Sequence, residues 1–471
     1  MRPINQPYER YRCDRRLVIG QVATIAIYCA LSGLFGLQRI AAAEKPSTPK
    51  AKLSTIDNGV VRIGIDLNQG GAITYLSEAD RDDNVINNYD FGRQVQMAYY
   101  AGPVPYEVGG KKPADHWRHI GWNPIQTGDD FGHSSQIIEH KNDGKSIYVK
   151  SIPMHWPLNN VPAACTFETW IELEGRAVKV KCRFVNQRAD KKQYIARTQE
   201  LPAVYVNGPY YRLMTYTGDK PFTGDKVSRI TYTPTPEAVW TSWYATENWA
   251  AHVNDAGFGL GIWQPDCYRF SGGFAGKHGQ GGTTDVHTGY IAPNKTLIID
   301  HDIQHEYNYT LILGSIEQIR QYIYKHAQKP KPPKFLFARD RQDWHLRNAM
   351  DKGWNLNGHW HIHLKSSDPQ LWSPRTFWQA RDASVLRIEA AFNTTQKSAT
   401  VFFSTLKENR ISADKSLSFD IKPDGQFHTY DVDLSPSQKY KGVITRLRLD
   451  PVGQGGKGQS VKIRSIQLVD R

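Results

Sequence analysis

The chain alternates apolar and polar residues in short runs, broken by Gly, Asn and Asp. "VVRIGIDL" puts Val61, Ile63, Ile65 and Leu67 on one side, and "NQGG" then turns the chain into "AITYLS". A period of two over four to eight residues is the mark of a half-buried strand. "CTFETWIELEGRAVKVKCRFVNQ" reads as a hairpin with Glu174-Gly175 at its turn, and similar runs recur as "HVNDAGFGLGIW", "TLIIDHDIQ" and "YNYTLILG". Many short strands with such turns predict an all-β sandwich or barrel. One segment breaks the period. In "SIEQIRQYIYKHAQ", Ser315 is placed as N-cap, Gln318 completes a capping box, and Ile316, Ile319 and Ile323 recur at helical spacing.

The proline- and lysine-rich "KPKPPK" after this helix is a linker signal. The expected organisation is a large β region over 44–328, a linker at 329–334 and a smaller β-sandwich over 335–471. That last part carries Trp344, Trp354, Trp360, Trp372 and Trp378. It is expected to fold alone as a jelly roll and, being rich in Trp, to bind glycans weakly.

The first 43 residues have a different pattern. Arg10, Arg12, Arg15 and Arg16 precede the apolar "LVIGQVATIAIYCALSGLFGL", and small residues follow at Ala41 and Ala43. This order predicts a signal peptide cut after Ala43, and a secreted or periplasmic mature protein. The apolar run is also long enough to span a bilayer, so a retained anchor is the alternative. After cleavage no stable membrane association is expected. Six arginines and two acids leave with the segment, which takes the formal charge from +13 to +9. A moderately basic exported protein suits glycan partners, anionic ones included. No block of consecutive basic residues longer than a pair and no nucleic-acid motif is present, so nucleic acid is not an expected partner. Of five cysteines, Cys165, Cys182 and Cys267 remain. Cys165 and Cys182 lie on the two arms of the predicted hairpin, which leaves a bond between them open.

Two stretches resemble known families. "DNGVVRIGIDLNQGGAITYLSEADRDDNVINNYDFGRQVQMAYY" resembles the opening of galactose-mutarotase-like β-supersandwich proteins, with Asn84, Ile86, Asn87, Asp90, Gly92, Arg93 and Gln94 in the pattern. "ENWAAHVNDAGFGLGIW" is similar to another of their segments. The resemblance spans roughly residues 50–325. "DGQFHTYDVDLSPSQKYKGVITRLRLDP" resembles carbohydrate-binding-type jelly rolls. These resemblances imply an N-terminal supersandwich, a C-terminal jelly roll and a carbohydrate-active protein. The first superfamily holds epimerases, hydrolases, lyase domains and non-catalytic members, so the chemistry must come from residues.

Three segments carry candidate chemistry. In "RTQELPAVYVNGPYYRL", Glu200 lies beside Arg197 and Tyr205, either as a general acid or as a salt-bridge partner of Arg197. In "YATENWAAHVND", Glu247 lies between Tyr244 and Trp249, with His252 after them. It is either a second catalytic acid or a turn residue whose neighbour Trp249 enters the core. "HWRHIGWNPIQTGDDFGHSSQ" gathers Trp122, Asn123, Asp130 and His133, the polar and aromatic mixture a sugar cleft uses. The expected catalytic residues are Glu200, Glu247 and His133. Trp122, Asn123, Asp130, Arg197, Tyr205, Trp249 and His252 are the expected sugar contacts. "GHWHIHL" sets His359, His361 and His363 on one strand face, but no acid completes a ligand set. No Rossmann, P-loop, G-x-S-x-G or H-E-x-x-H pattern occurs. Neither a metal nor another cofactor is expected.

Three functions fit. The first is a glycoside hydrolase using Glu200 and Glu247 as paired carboxylates. The second is a lyase or epimerase working through His133 or Tyr205, with Arg197 neutralising developing charge. The third is a glycan-binding protein without catalysis.

Overall fold

The computed structural model describes residues 51–232 and 239–470. The proposed signal segment 1–43 lies outside the described residues. Among the described residues no helix is long and apolar enough to cross a membrane.

The described residues are all-β, with four antiparallel sheets and one α-helix among them. The first two sheets have ten and nine strands and lie within residues 53–315. Their facing sides enclose one large core, with Ile63, Ile65, Val95, Phe167, Phe184, Val204, Val206, Ile291 and Leu311 in it. The predicted hairpin forms from Cys165–Glu174 and Ala177–Asn186. Its register corrects the open cysteine question. Cys165 faces Asn186 and Cys182 faces Thr169, so the two thiols are four residues out of step, and both are free and buried.

The helix, α1 (Ile316–His326), begins as its sequence predicts. Ser315 accepts from the Gln318 amide, and the Gln318 side chain accepts from the Ser315 amide. Ile319 and Ile323 pack on the outer side of the nine-stranded sheet, against Trp249, Ala251, Val253 and Ile312. The strand Trp249–Val253 is therefore buried on both faces. Its odd positions meet α1. Ala250 faces the main core, and His252 reaches across to Tyr290 in the ten-stranded sheet.

Two six-stranded sheets follow, built from residues 334–469, around a separate core. Lys334 already belongs to a strand, paired with Gln467. Trp344, Trp360 and Trp378 are fully enclosed in this core, and Trp354 packs against the N-terminal core instead. Trp372 is half-buried with Arg347, Arg446 and Arg448 over its ring. Three of the five tryptophans in this region thus fill space between its sheets, as large apolar side chains do when a core must be closed.

Buried charges tie the two halves together. Arg341 donates to Asp300 on one side and to Asp351 on the other, and Lys295 Nζ lies 2.7 Å from Asp343.

Candidate functional site

Glu200 owes its position to a β-bulge. It faces Ala98 on one neighbouring strand and Asn294 on the other, but four residues later the register has slipped by one. A one-residue slip exchanges the faces of a strand. Val204 and Val206 therefore point into the core, while Glu200, Ala203 and Tyr205 point away from it. Without the bulge Glu200 would share the core side with Val204.

This outer face is rich in aromatic rings. Tyr205 and Tyr290 lie with ring centroids 4.8 Å apart, and Trp240 packs on Tyr290 at 5.0 Å. Beside them a second cluster joins Phe91, Tyr100, Trp117 and Trp156. Glu200 is half-buried between the clusters. Tyr100 Oη donates to its Oε2 at 3.3 Å, and Tyr290 also hydrogen-bonds to it. Among the described residues Glu200 forms no ion pair. Burial raises its pKa, and the two tyrosine hydrogen bonds offset only part of that. Burial, and then the Glu200 charge, hold both tyrosine hydroxyls well above their usual range, so they stay protonated and donate.

Arg197 does not pair with Glu200. Its Nη1 donates to the Ile120 carbonyl at 2.6 Å, which pins the 119–121 loop over the sheet. Beyond that loop, Trp117 Nε1 donates to Asp130 at 2.7 Å. His133 Nδ1 donates to the buried Asp129 at 2.9 Å, and its side chain is 40% exposed. A carboxylate only accepts, so the Asp129 bond places the proton on Nδ1 and leaves Nε2 as the basic nitrogen.

The remaining expected contacts lie elsewhere. Trp122 is a core residue, edge-on to His155 and covered by Arg188. Asn123 is buried and donates to the Tyr99 carbonyl, so it supports the site from below. Trp249 is fully buried under α1. His252 is enclosed between the sheets, and burial pushes its pKa down to about 4. These rings were placed near substrate because their segments are polar at their ends. Trp249 and His252 are alternate positions of a strand that α1 covers on one face and the other sheet on the other, and Trp122 makes an isolated bridge to Ala101 beside the core.

Glu247 also takes another place. It is completely buried and sits in the turn before Trp249–Val253. Its oxygens accept from Arg320 at 3.0 Å, Tyr324 at 2.6 Å, Trp249 Nε1 at 2.9 Å and the Phe222 amide at 2.9 Å. None of these partners touches Glu200. The expected Glu200–Glu247 pair is therefore corrected: Glu247 closes a buried ion pair between a turn and α1. The tyrosines that do hold Glu200, Tyr100 and Tyr290, were missed because they lie in unremarkable strand segments, "QMAYYAG" and "HTGYIAP".

In the carboxy-terminal sheets the rings of His359, His361 and His363 stand 6.3 and 4.8 Å apart. Among the described residues no group of three or more His, Cys, Asp or Glu is placed to hold a metal ion.

No protein-family profile matches the sequence, and no curated protein matches it. Among solved structures, the galactose-mutarotase-related enzyme of Lactobacillus acidophilus is similar over 56% of this chain and 98% of its own, at 12% identity and a TM-score of 0.33. A galactose mutarotase-like protein from Lactobacillus casei covers 56% of this chain and 100% of its own, at 11% identity and a TM-score of 0.35. One from Clostridium acetobutylicum covers 57% and 96%, at 9% identity and a TM-score of 0.35. At these TM-scores nothing about activity follows from the matches.

Proposed function

We propose that the protein is an exported carbohydrate-active enzyme that binds a glycan on the outer face of the ten-stranded sheet, with Glu200 as the proton donor. One observation carries this reading. Glu200 is a half-buried carboxyl held by two tyrosine hydroxyls and by no cation, in a face of aromatic rings. Burial without a cation keeps a carboxyl protonated at higher pH, which is what a general acid requires. Aromatic faces stack on sugar C–H surfaces.

Hydrolysis remains the first reading, with Asp130 in place of Glu247 as the second carboxylate. Asp130 is bonded to Trp117, and Trp117 packs in the same cluster as the Glu200 partner Tyr100. Epimerisation or elimination is the second reading. It is favoured by His133, whose proton is fixed on Nδ1 by Asp129 and whose ring is open to solvent.

The test is product analysis on a glycan panel with Glu200→Gln, Asp130→Asn and His133→Gln. Hydrolysis predicts new reducing ends, abolished by Glu200→Gln and Asp130→Asn. Elimination predicts an ultraviolet-absorbing unsaturated product that depends on His133, and epimerisation predicts altered sugar resonances by NMR. Activity unchanged in Glu200→Gln would sink the assignment. Export is part of the proposal, and N-terminal sequencing of the mature protein should begin at Glu44.

A further inference from the structure

On the same face of the ten-stranded sheet as Glu200, where the C-terminal sheets meet it, lies a small cavity of about 160 Å³, lined in part by Thr198, Thr296 and the Glu200 register partner Asn294. Arg269, Arg375 and Arg446 all line it, and they come from three separate segments of the chain. The carboxylates nearby do not balance them. Asp343 is taken by Lys295 at 2.7 Å, and Asp266 is exposed at the rim. Among the described residues none of the three arginines forms an ion pair.

Their donors are also under-used. The Arg269 guanidinium makes no hydrogen bond among the described residues. Arg375 bonds only to the neutral Asn409 side chain. Arg446 Nε donates to the Ser373 carbonyl at 2.9 Å, and its Nη2 donates to His345 Nε2 at 3.3 Å. An arginine cannot accept, so this last bond fixes the neutral His345 tautomer with its proton on Nδ1. His345 lines the same cavity, is 5% exposed, and its Nδ1 has no partner. Burial and then Arg446 keep this ring neutral. Four cationic side chains, Arg269, Arg375, Arg446 and Lys295, therefore line the cavity against two carboxylates, Asp266 and Asp343. Burial, and then the charge of Arg269, bring Arg375 down to about 10, a mark of like charges held together. Three guanidinium groups held together beside only two carboxylates repel one another, and the buried, unpartnered His345 Nδ1 adds a further cost.

We propose that this three-arginine cavity is a binding site for an oxyanion group, a sulfate, phosphate or carboxylate, presented by an acidic sugar or as the free ion. Guanidinium forks match the oxygens of such groups in pairs. The cavity adjoins a cleft of about 1440 Å³, and Lys295, Asp343, Tyr268 and Arg375 line both. An anionic group in the cavity can thus belong to a larger molecule lying in the cleft, beside Trp263 and Trp354. Glu200, Tyr100 and Tyr290 do not line this cavity, and anion binding is measured without any glycan turnover, so its test is separate from that of the reading above.

The experiment uses the full chain and isothermal titration with sodium sulfate, with sodium chloride at equal ionic strength as control. Parallel titrations use a galacturonate trimer, a sulfated galactose disaccharide and the neutral galactose disaccharide. Wild-type protein should bind sulfate or a charged sugar saturably. Arg269→Gln, which removes no hydrogen bond, should weaken that binding at least tenfold, and Arg375→Gln gives the same reading if the first variant folds poorly. A charged sugar bound tenfold more tightly than free sulfate identifies an acidic glycan as the ligand. Equal affinities identify the free anion. No saturable binding above the chloride control, or equal binding by wild type and both folded variants, overturns the proposal.

Discussion

Glu200 and Glu247 are both carboxylates drawn out of bulk water, and they are held by different kinds of partner. Glu247 has Arg320 at 3.0 Å and donors from a tyrosine, an indole and a backbone amide. Glu200 has two tyrosine hydroxyls and no cation. A buried carboxylate with an arginine is a fastener between elements, because its charge is matched. A buried carboxylate with only hydroxyls keeps its proton longer, because nothing nearby favours the charge. Burial alone therefore does not identify a catalytic acid; the partner does.

The largest expected effect comes from breaking the fastener. Glu247→Ala leaves Arg320, Tyr324 and the Trp249 indole without their acceptor under a packed helix. Removing one partner of a buried ion pair typically costs about 3–5 kcal/mol. Denaturant unfolding of the variant should show a loss in that range. A loss below about 1 kcal/mol would mean that the pair is solvated and that the contrast with Glu200 fails.

Asp351 offers a third buried carboxylate that extends the comparison. Burial pushes its pKa up, but hydrogen bonds and charge from Arg341, with a hydrogen bond from Trp360, bring it down to about 2. The folded value is thus depressed below the unfolded value of about 3.9. Its contribution is present above pH 4 and is lost as pH falls towards 2. The size is roughly 2 kcal/mol. Wild-type stability should fall across that window. Asp351→Asn should be less stable at neutral pH and should show a shallower fall. Identical acid limbs for both proteins would count against the Arg341 network as the bond between the two halves of the molecule.

These contrasts explain which parts could be read from the sequence. The 165–186 hairpin and the capped helix are local: their residues sit within a few positions of the ones that specify them. The run "HVNDAGFGLGIW" reads as strand too, but it does not show that both faces of Trp249–Val253 are covered. The helix that covers one face, and the Arg320 that claims Glu247, lie about seventy residues further on. The same limit applied to the tryptophans of the C-terminal sheets. An aromatic residue looks alike in sequence whether it stacks on a sugar or fills the space between two sheets. Pro202 would place Glu200 at a strand end, yet the strand Arg197–Asn207 runs through both residues. The slip that turns Glu200 outward is set by pairing with two strands distant in sequence, at Ala98 and Asn294.

The smallest expected effect has the opposite sign. Burial raises the pKa of Glu200 in the folded protein above its unfolded value. Such a group binds its proton more tightly when folded, so it favours folding most below the unfolded pKa. That benefit is lost as pH rises through the folded pKa, where the ionised carboxylate must be kept in a poorly solvated place. Glu200→Gln removes the ionisation while the amide oxygen still accepts from Tyr100 and Tyr290. The variant should therefore be slightly more stable than wild type at neutral pH, by less than about 1 kcal/mol, and should lose that advantage below pH 4. Unfolding curves for both proteins at acid and neutral pH measure the difference. Glu247→Ala should lose stability where Glu200→Gln gains it. If Glu200→Gln is instead destabilised at neutral pH and not at acid pH, the wild-type carboxylate has a cationic partner after all, and the two glutamates are the same kind of residue.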